Sequence, residues 1–443
     1  MTGSLFKTLL AAALAASSLA AARPATPSLE PLTEEAREAA LSPLPGVTFR
    51  YGPPASQRTS KREPKDRFKK TKNYSHLHPY EQRLVLDLDT GSSDTWAFWS
   101  GTNCTDATGA AIASPYCRFG PRYGGNFTYG PIAGEHFHVA YGDGETVVGS
   151  LGYMDVTVGG VRVRNQTVGL ANETVWQGNN VSSGVLGLAY PGLTNAFYGP
   201  KGHEEPYYAM QYSPVFSSMV DQGLVEDFFS IAINRAGGNS SAGMVAFGGI
   251  PEGIDGVDYD TTAQADIIVV SHFLRPSNPR KHIISPEVWA HAKTLDLPNG
   301  QANVANIKHS ASDYSFYTII PDGWYFGSST DDKKMPFIIA LAQSINNMFY
   351  PPAVYSFMNG GYLTTCDAVT PRVAVVIDGT PFYLNPKDLI FRSMPDEITG
   401  LCMTAFNDGA TGPFVLGDVF LKNVLAVFDI GENVLQLASR VHY

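Results

Sequence analysis

Apolar and polar positions along this chain trade places with a period of two, in runs of roughly four to eight residues broken by Gly, Pro, Asn and Asp. That pattern predicts short, half-buried strands joined by turns. Leu84-Val85-Leu86-Asp87-Leu88 is one such run, and it ends in Asp89-Thr90-Gly91-Ser92-Ser93. It reads as a buried strand entering a tight turn with Asp89 at its tip. Val139-Ala140-Tyr141 and Gly149-Ser150-Leu151-Gly152-Tyr153 flank Gly142-Asp143-Gly144 and predict a β-hairpin with an aromatic residue near its tip. Residues 228–233 and 243–250 read as further strands. Gly184-Val185-Leu186-Gly187-Leu188-Ala189 is an apolar run punctuated by glycine, and its Leu-Gly element recurs at Leu416-Gly417. Two related halves are therefore expected.

Composition agrees with an all-β chain of two lobes. The 443 residues suffice for a large core, and 44% hydrophobic with 16% charged residues is a globular balance. The 43 Gly, 30 Pro and 22 Tyr suit a turn-rich β protein. Formal net charge is −10, and it is unevenly spread. Residues 23–75 carry eleven Lys and Arg against six Asp and Glu, so residues 76–443 are strongly acidic. An acidic body argues against a nucleic-acid partner and suits work at low pH, where protonation relieves self-repulsion.

The first 22 residues have the physics of a signal peptide: Lys7, an apolar stretch over 9–16, and Ala20-Ala21-Ala22 as a small-residue cleavage site. Secretion is expected. Asn-x-Ser/Thr sequons at Asn73, Asn103, Asn126, Asn165, Asn172, Asn180 and Asn239 fit a glycoprotein. Cys104 and Cys117 are close in sequence, as are Cys366 and Cys402, so an oxidising compartment allows one local disulfide per half. No further apolar run is long enough to span a membrane, and no lipid anchor is expected. His136 and His138 share one strand face without an evident third ligand, which reads as two surface histidines rather than a metal site.

The Asp89-Thr90-Gly91-Ser92-Ser93 motif with Trp96 beyond it resembles the first active-site motif of the pepsin-like aspartic proteases, and of fungal secreted acid proteases in particular. The resemblance implies a bilobal fold of two related β-barrel-like lobes with a peptide-binding cleft between them. It implies a monomer that needs no cofactor or metal and acts on peptides or proteins. Asp89 is the expected catalytic carboxylate, supported by Thr90, Gly91 and Ser92. Backbone N–H groups and the Ser92 hydroxyl are placed to hydrogen-bond its ionised form. The 139–153 hairpin resembles the family's flap, with Tyr141 as the flap tyrosine and Trp96 as its hydroxyl partner. Gly142 and Asp143 lie at the flap tip, where Asp143 is expected to attract a basic substrate side chain. Glu145 stands in place of a usual serine. The Gly184–Gly187 run is expected to brace the Asp89 loop, with a helix over 214–222 next to it.

Residues 23–75 read as either a disordered linker or, by the resemblance, a basic propeptide lying over an acidic cleft; the latter is expected, with Lys61-Arg62 a plausible processing site. The N-terminal lobe is then 76–245, with Asp89 and the flap, and the C-terminal lobe 246–443, with an insertion near 260–300. The first strand and its turn are expected over 74–82.

The chemistry of this family needs two carboxylates sharing a proton across a bound water, one acting as base and one as acid. The strands expected over 317–324 lead to Met335-Pro336-Phe337-Ile338-Ile339, after which Ala340 stands where the second aspartate belongs. Leu341 and Ala342 take the next two motif positions. Asp378-Gly379-Thr380 resembles a permuted motif but reads as a surface hairpin turn. Two readings follow: an aspartic endopeptidase impaired in this chain, or a peptide-binding relative without catalysis.

Overall fold

The computed structural model describes residues 11–12, 46–50, 81–235, 243–251, 254–268, 314–327, 333–335, 341–407 and 414–440. Among them strands dominate, and the α-helices are short: Val215–Asp221, Leu341–Asn346 and Asp418–Leu421.

The first half builds one ten-stranded sheet. Its spatial order runs Ala209–Met210, Ala196–Tyr198, Pro131–Ala140, Thr146–Val158, Val161–Val175, Thr95–Cys104, Gly184–Gly187, Asp87–Asp89. The hairpin between Thr146–Val158 and Val161–Val175 turns through Gly159 and Gly160, at φ +55° and +82°. A two-residue turn that matches strand twist needs positive φ at both positions, and glycine reaches it without a Cβ clash.

The second half is divided among smaller sheets. One pairs Lys333–Met335, Gly323–Gly327, Arg372–Ile377 and Thr380–Tyr383; another pairs Val354–Ser356, Gly361–Thr364 and Cys402–Met403. A five-stranded sheet of Gly243–Phe247, Phe228–Ile233, Val424–Asp429, Val434–Arg440 and Val257–Asp266 draws strands from both halves. The bilobal all-β expectation holds, but the sheets are open rather than barrel-like, because their first and last strands do not pair.

The core continues between the halves through an aromatic stack. Phe229 lies parallel to Phe428 at 4.8 Å, Tyr317 packs on Phe428 at 4.8 Å and on Tyr190 at 4.9 Å, and Tyr190 stacks on Tyr314 at 5.0 Å. Such pairs contribute about 0.5–1.5 kcal/mol each beyond their burial. Buried Arg440 adds a polar tie, donating to the Ile233 carbonyl at 2.7 Å and to Asn234 Oδ1 at 2.9 Å. Of the strands expected over 317–324, residues 323–324 belong to Gly323–Gly327, whereas 317–322 run irregularly, with Tyr317 and Ile319 buried. Backbone bonds over 315–322 are scattered: Ile268 N to Thr318 O, Tyr190 N to Ser315 O, Asp322 N to Val376 O. These side chains fill the space between the lobes, which holds the segment in place of a ladder.

The start of the N-terminal lobe also differs. Glu81–Val85 pairs antiparallel with Gly46–Arg50, which pairs in turn with Asp155–Thr157 of the sheet. The partner strand therefore comes from 46–50, within the segment expected to be propeptide, while residues 74–80 lie outside the described residues. The alternation of Val47 and Phe49 with polar residues is the pattern that makes this strand.

Candidate functional site

Asp89 ends its short strand pointing inward, at 1% exposure. Asp87–Asp89 runs parallel to Gly184–Gly187, with Asp89 opposite Gly187. The turn beyond it closes on the carboxylate. Gly91 N donates to Oδ1 at 2.8 Å and Ser92 Oγ donates to Oδ2 at 2.6 Å. Leu188 N holds the Asp89 carbonyl at 2.8 Å, and Ala189 N holds that of Ser92 at 2.9 Å. A Cβ at Gly187 would stand 2.5 Å from the Ser93 carbonyl carbon, so only glycine lets the brace come this close. The second lobe reaches the same brace, where the Tyr317 hydroxyl donates to the Leu188 carbonyl.

The expected flap is formed by Pro131–Ala140 and Thr146–Val158, with Tyr141–Glu145 as its turn. Tyr141 N donates to Glu145 O at 2.8 Å, Gly144 N to Tyr141 O at 3.1 Å, and Glu145 N to Asp143 Oδ1 at 3.0 Å. Asp143 therefore shapes the turn, while Gly142 and Asp143 stay exposed at the tip. The Tyr141 hydroxyl folds down and accepts from Trp96 Nε1 at 2.8 Å, as expected. Burial pushes this hydroxyl well above the usual tyrosine range, and the nearby Asp89, Asp94 and Glu145 carboxylates push it further, against the bond from Trp96. At acid and neutral pH it is a neutral phenol.

Several residues at this site escaped the sequence. Trp176 is buried edge-on to Trp96 at 5.2 Å and to Phe98 at 5.3 Å, and it floors the flap with Tyr141 at 6.1 Å. Asp94 is buried beside the motif. Its Oδ1 accepts from Tyr212 Oη at 2.6 Å and Asn195 N at 3.0 Å, and its Oδ2 from Asn195 Nδ2 at 2.8 Å. Burial raises this carboxyl above its ordinary range, opposed by those same bonds. An acid set between Ser93 and the apolar run from Thr95 was the available signal; its partners, about 100 residues away, carried none.

The second half is less complete. Ala340 lies outside the described residues. Leu341 and Ala342 open the helix Leu341–Asn346. The counterpart of the Gly184–Gly187 brace, at Phe414–Val415, pairs antiparallel with Ala11–Ala12 from the expected signal peptide. Asp378 and Gly379, both at positive φ, form the hairpin turn between Arg372–Ile377 and Thr380–Tyr383.

Both disulfides form as expected, Cys104–Cys117 and Cys366–Cys402. The two histidines are not plain surface residues. His136 is buried, and Glu204 Oε1 lies 3.2 Å from both His136 Nε2 and His138 Nδ1. His136 Nδ1 also lies 2.7 Å from the Gly199 carbonyl oxygen. Glu204 thus sits against two side chains of the strand Pro131–Ala140. Among the described residues no His, Cys, Asp and Glu group has the arrangement of a metal site, and no helix is long and apolar enough to cross a membrane.

A model of the eukaryotic aspartyl protease family matches residues 79–261 and 306–440. The chain belongs to the eukaryotic aspartyl proteases. A probable aspartic-type endopeptidase of Aspergillus fumigatus is 32% identical over 378 residues, which is 81% of this chain and 76% of that protein. Rhizopuspepsin of Rhizopus chinensis is 25% identical over 360 residues, 81% of this chain and 75% of its own. The crystal structure of an aspartic proteinase from Irpex lacteus shares the fold, with a TM-score of 0.50 at 15% identity over 81% of this chain and 91% of that one. Within the aspartyl protease match, residues 262–305 are passed over.

Proposed function

We propose that this aspartyl protease homologue is a secreted aspartic-type endopeptidase that acts on peptides at acid pH, and that this chain hydrolyses them poorly. One observation carries the peptide-cleft reading: a buried carboxylate, Asp89, held by Gly91 and Ser92 beneath a flap whose Tyr141 is hydrogen-bonded to Trp96. Asp89 has the placement to take a proton from a water attacking a peptide carbonyl. Tyr141, Gly142 and Asp143 line the approach, with Trp96 buried behind Tyr141. The passed-over residues 262–305 support an insertion there.

The impairment rests on the missing partner. Asp89-Thr90-Gly91 is the one Asp-(Ser/Thr)-Gly in the sequence, and residues 328–340 contain none. A single carboxylate serving as base leaves the carbonyl oxygen without an acid, and losing such help typically costs about 10²–10⁴-fold. The retained cleft favours binding over turnover, so a peptide-binding glycoprotein is the second reading. The acidic body over 76–443, the leader-like first 22 residues and the sequons support secretion into an acid medium.

The test is acid-pH cleavage of a peptide library by the purified secreted chain of verified sequence, with and without a statine-type inhibitor, beside Asp89→Ala. Binding of the inhibitor with little or no cleavage is expected. Ordinary proteolysis abolished by Asp89→Ala would mean that a second carboxylate acts, and no binding at all would remove the cleft reading.

A further inference from the structure

The flap of this protein is attached at two points, and the second is Glu145. At the flap's base, the ladder between its rising strand and Val161–Val175 ends at Thr146 opposite Val175. Thr174 Oγ1 closes that end by donating to the Thr146 carbonyl at 2.6 Å. One residue further on, the chains diverge: 141–145 turns back as the flap tip, and 176–178 heads for the disulfide loop. Glu145 bridges the divergence. Its side chain is buried, at 6% exposure for the residue, and Oε1 accepts from Gln177 N at 2.7 Å. The receiving segment is itself fixed, since Gly178 N donates to the Cys117 carbonyl at 2.9 Å and Trp176 is wedged among Trp96, Phe98 and Tyr141.

We propose that Glu145 is a positioning residue that latches the flap at a set height above Asp89, and so governs how a bound peptide is held and released. The latch rests on the peptide-cleft reading above for its consequence, but not for its existence. Tyr141 and Glu145 are the two ends of one turn, joined by the Tyr141 N to Glu145 O bond. Their side chains grip different parts of the body: Tyr141 the Trp96 indole, Glu145 the Gln177 amide. A turn gripped at both ends cannot hinge about either. Lifting the flap to admit or release a peptide then requires breaking the Glu145 contact as well as the Tyr141 one. A carboxyl oxygen accepting from a backbone N–H, with its own side chain buried, is among the stronger single contacts available for this purpose.

The proposal is tested on the full secreted chain with Glu145→Ala and Glu145→Gln, using two readouts. The first is amide hydrogen exchange of residues 139–147, which needs no ligand. Glu145→Ala is expected to speed exchange there by about tenfold while exchange in Phe228–Ile233 stays unchanged. Glu145→Gln keeps an acceptor oxygen at the same reach and is expected to restore slow exchange. The second readout is the dissociation rate of a statine-type peptide, expected to rise about tenfold in Glu145→Ala and to stay within about twofold of the parent in Glu145→Gln. Unchanged flap exchange in Glu145→Ala overturns the latch. Equal loosening by both variants overturns it too, since volume or charge and not the acceptor would then hold the flap. Should the parent bind no such peptide, the cleft reading falls with the proposed consequence, while the exchange measurement still decides the contact.

Discussion

The two braces of this molecule are built from the same Leu-Gly element and have different partners. In the N-terminal lobe, Gly184–Gly187 runs parallel to Asp87–Asp89, and its neighbouring amides grip the carbonyls of Asp89 and Ser92. In the C-terminal lobe, Phe414–Val415 is followed by the matching Leu416-Gly417, but its partner is the antiparallel pair Ala11–Ala12. What distinguishes the N-terminal edge is the Asp-Thr-Gly-Ser turn delivered to it, a motif that occurs once in the sequence. The lobes differ in the same sense at larger scale. One is a continuous ten-stranded sheet, and among the described residues the other is divided into smaller sheets.

The largest break in the comparison is expected from Asp89→Asn. It should reduce any residual acid hydrolysis to background, a loss of at least about 10²-fold in kcat/KM for a quenched peptide. The acids of the other lobe should be indifferent. Asp378→Asn keeps a residue that tolerates positive φ, and cleavage and inhibitor binding are expected to stay within about twofold. A comparable loss from Asp378→Asn would show that the hairpin turn has been misassigned.

Disulfide removal compares the lobes in stability. The Cys366–Cys402 bridge spans 36 residues and Cys104–Cys117 spans 13, so loop-closure entropy predicts losses of about 4 and about 3 kcal/mol for the paired serine variants. Urea unfolding of each double variant measures them, and a larger loss in the N-terminal lobe would reverse the expected order. Gly187→Ala is next. Its Cβ meets fixed backbone of Ser92, Ser93 and Asp94, and the overpacking is expected to cost about 1–3 kcal/mol together with inhibitor affinity. A neutral result in both would show that the brace can yield.

The smallest effects are those of pH, and two carboxyls, the buried Asp94 and the half-buried Glu204, should act in opposite directions. Asp94 has its folded pKa raised by burial, so its contribution favours the fold at low pH and is lost as pH rises from about 4 through the folded value. For Glu204, burial raises the pKa, but the Gly202 amide and the His138 and His136 contacts lower it by more. Its contribution is present above the ordinary glutamate range and is lost as pH falls through the folded value. Urea midpoints between pH 3 and pH 7 are therefore expected to lose an acid-favouring slope in Asp94→Asn and an acid-opposing slope in Glu204→Gln. Identical pH profiles for parent and variants would remove these two groups from the acid response.

Much of the fold was legible because strand alternation and turn glycines are local signals. The flap, the Asp89 strand, Phe228–Ile233, the Asp378-Gly379 turn and both disulfides lie where residue pattern or family resemblance put them. The partner of Glu81–Val85 is Gly46–Arg50, within the segment expected to be propeptide, because pairing across a long connection leaves no mark near either strand. Residues 317–322 have the apolar spacing of strands and are held instead by packing between the lobes.

By itself, then, the sequence determined which residue types stand at the candidate site: one Asp-Thr-Gly, a tyrosine near a hairpin tip, and a tryptophan just beyond the motif. Residue identity sets what a site can do, and it is local. Only the tertiary structure decided how those residues are held. The Asp94 carboxyl found Asn195 and Tyr212, the Glu145 side chain found Gln177, and Glu204 found two histidines on a distant strand. Each of these contacts joins positions from 32 to 118 residues apart, and folding alone brings them within hydrogen-bond distance.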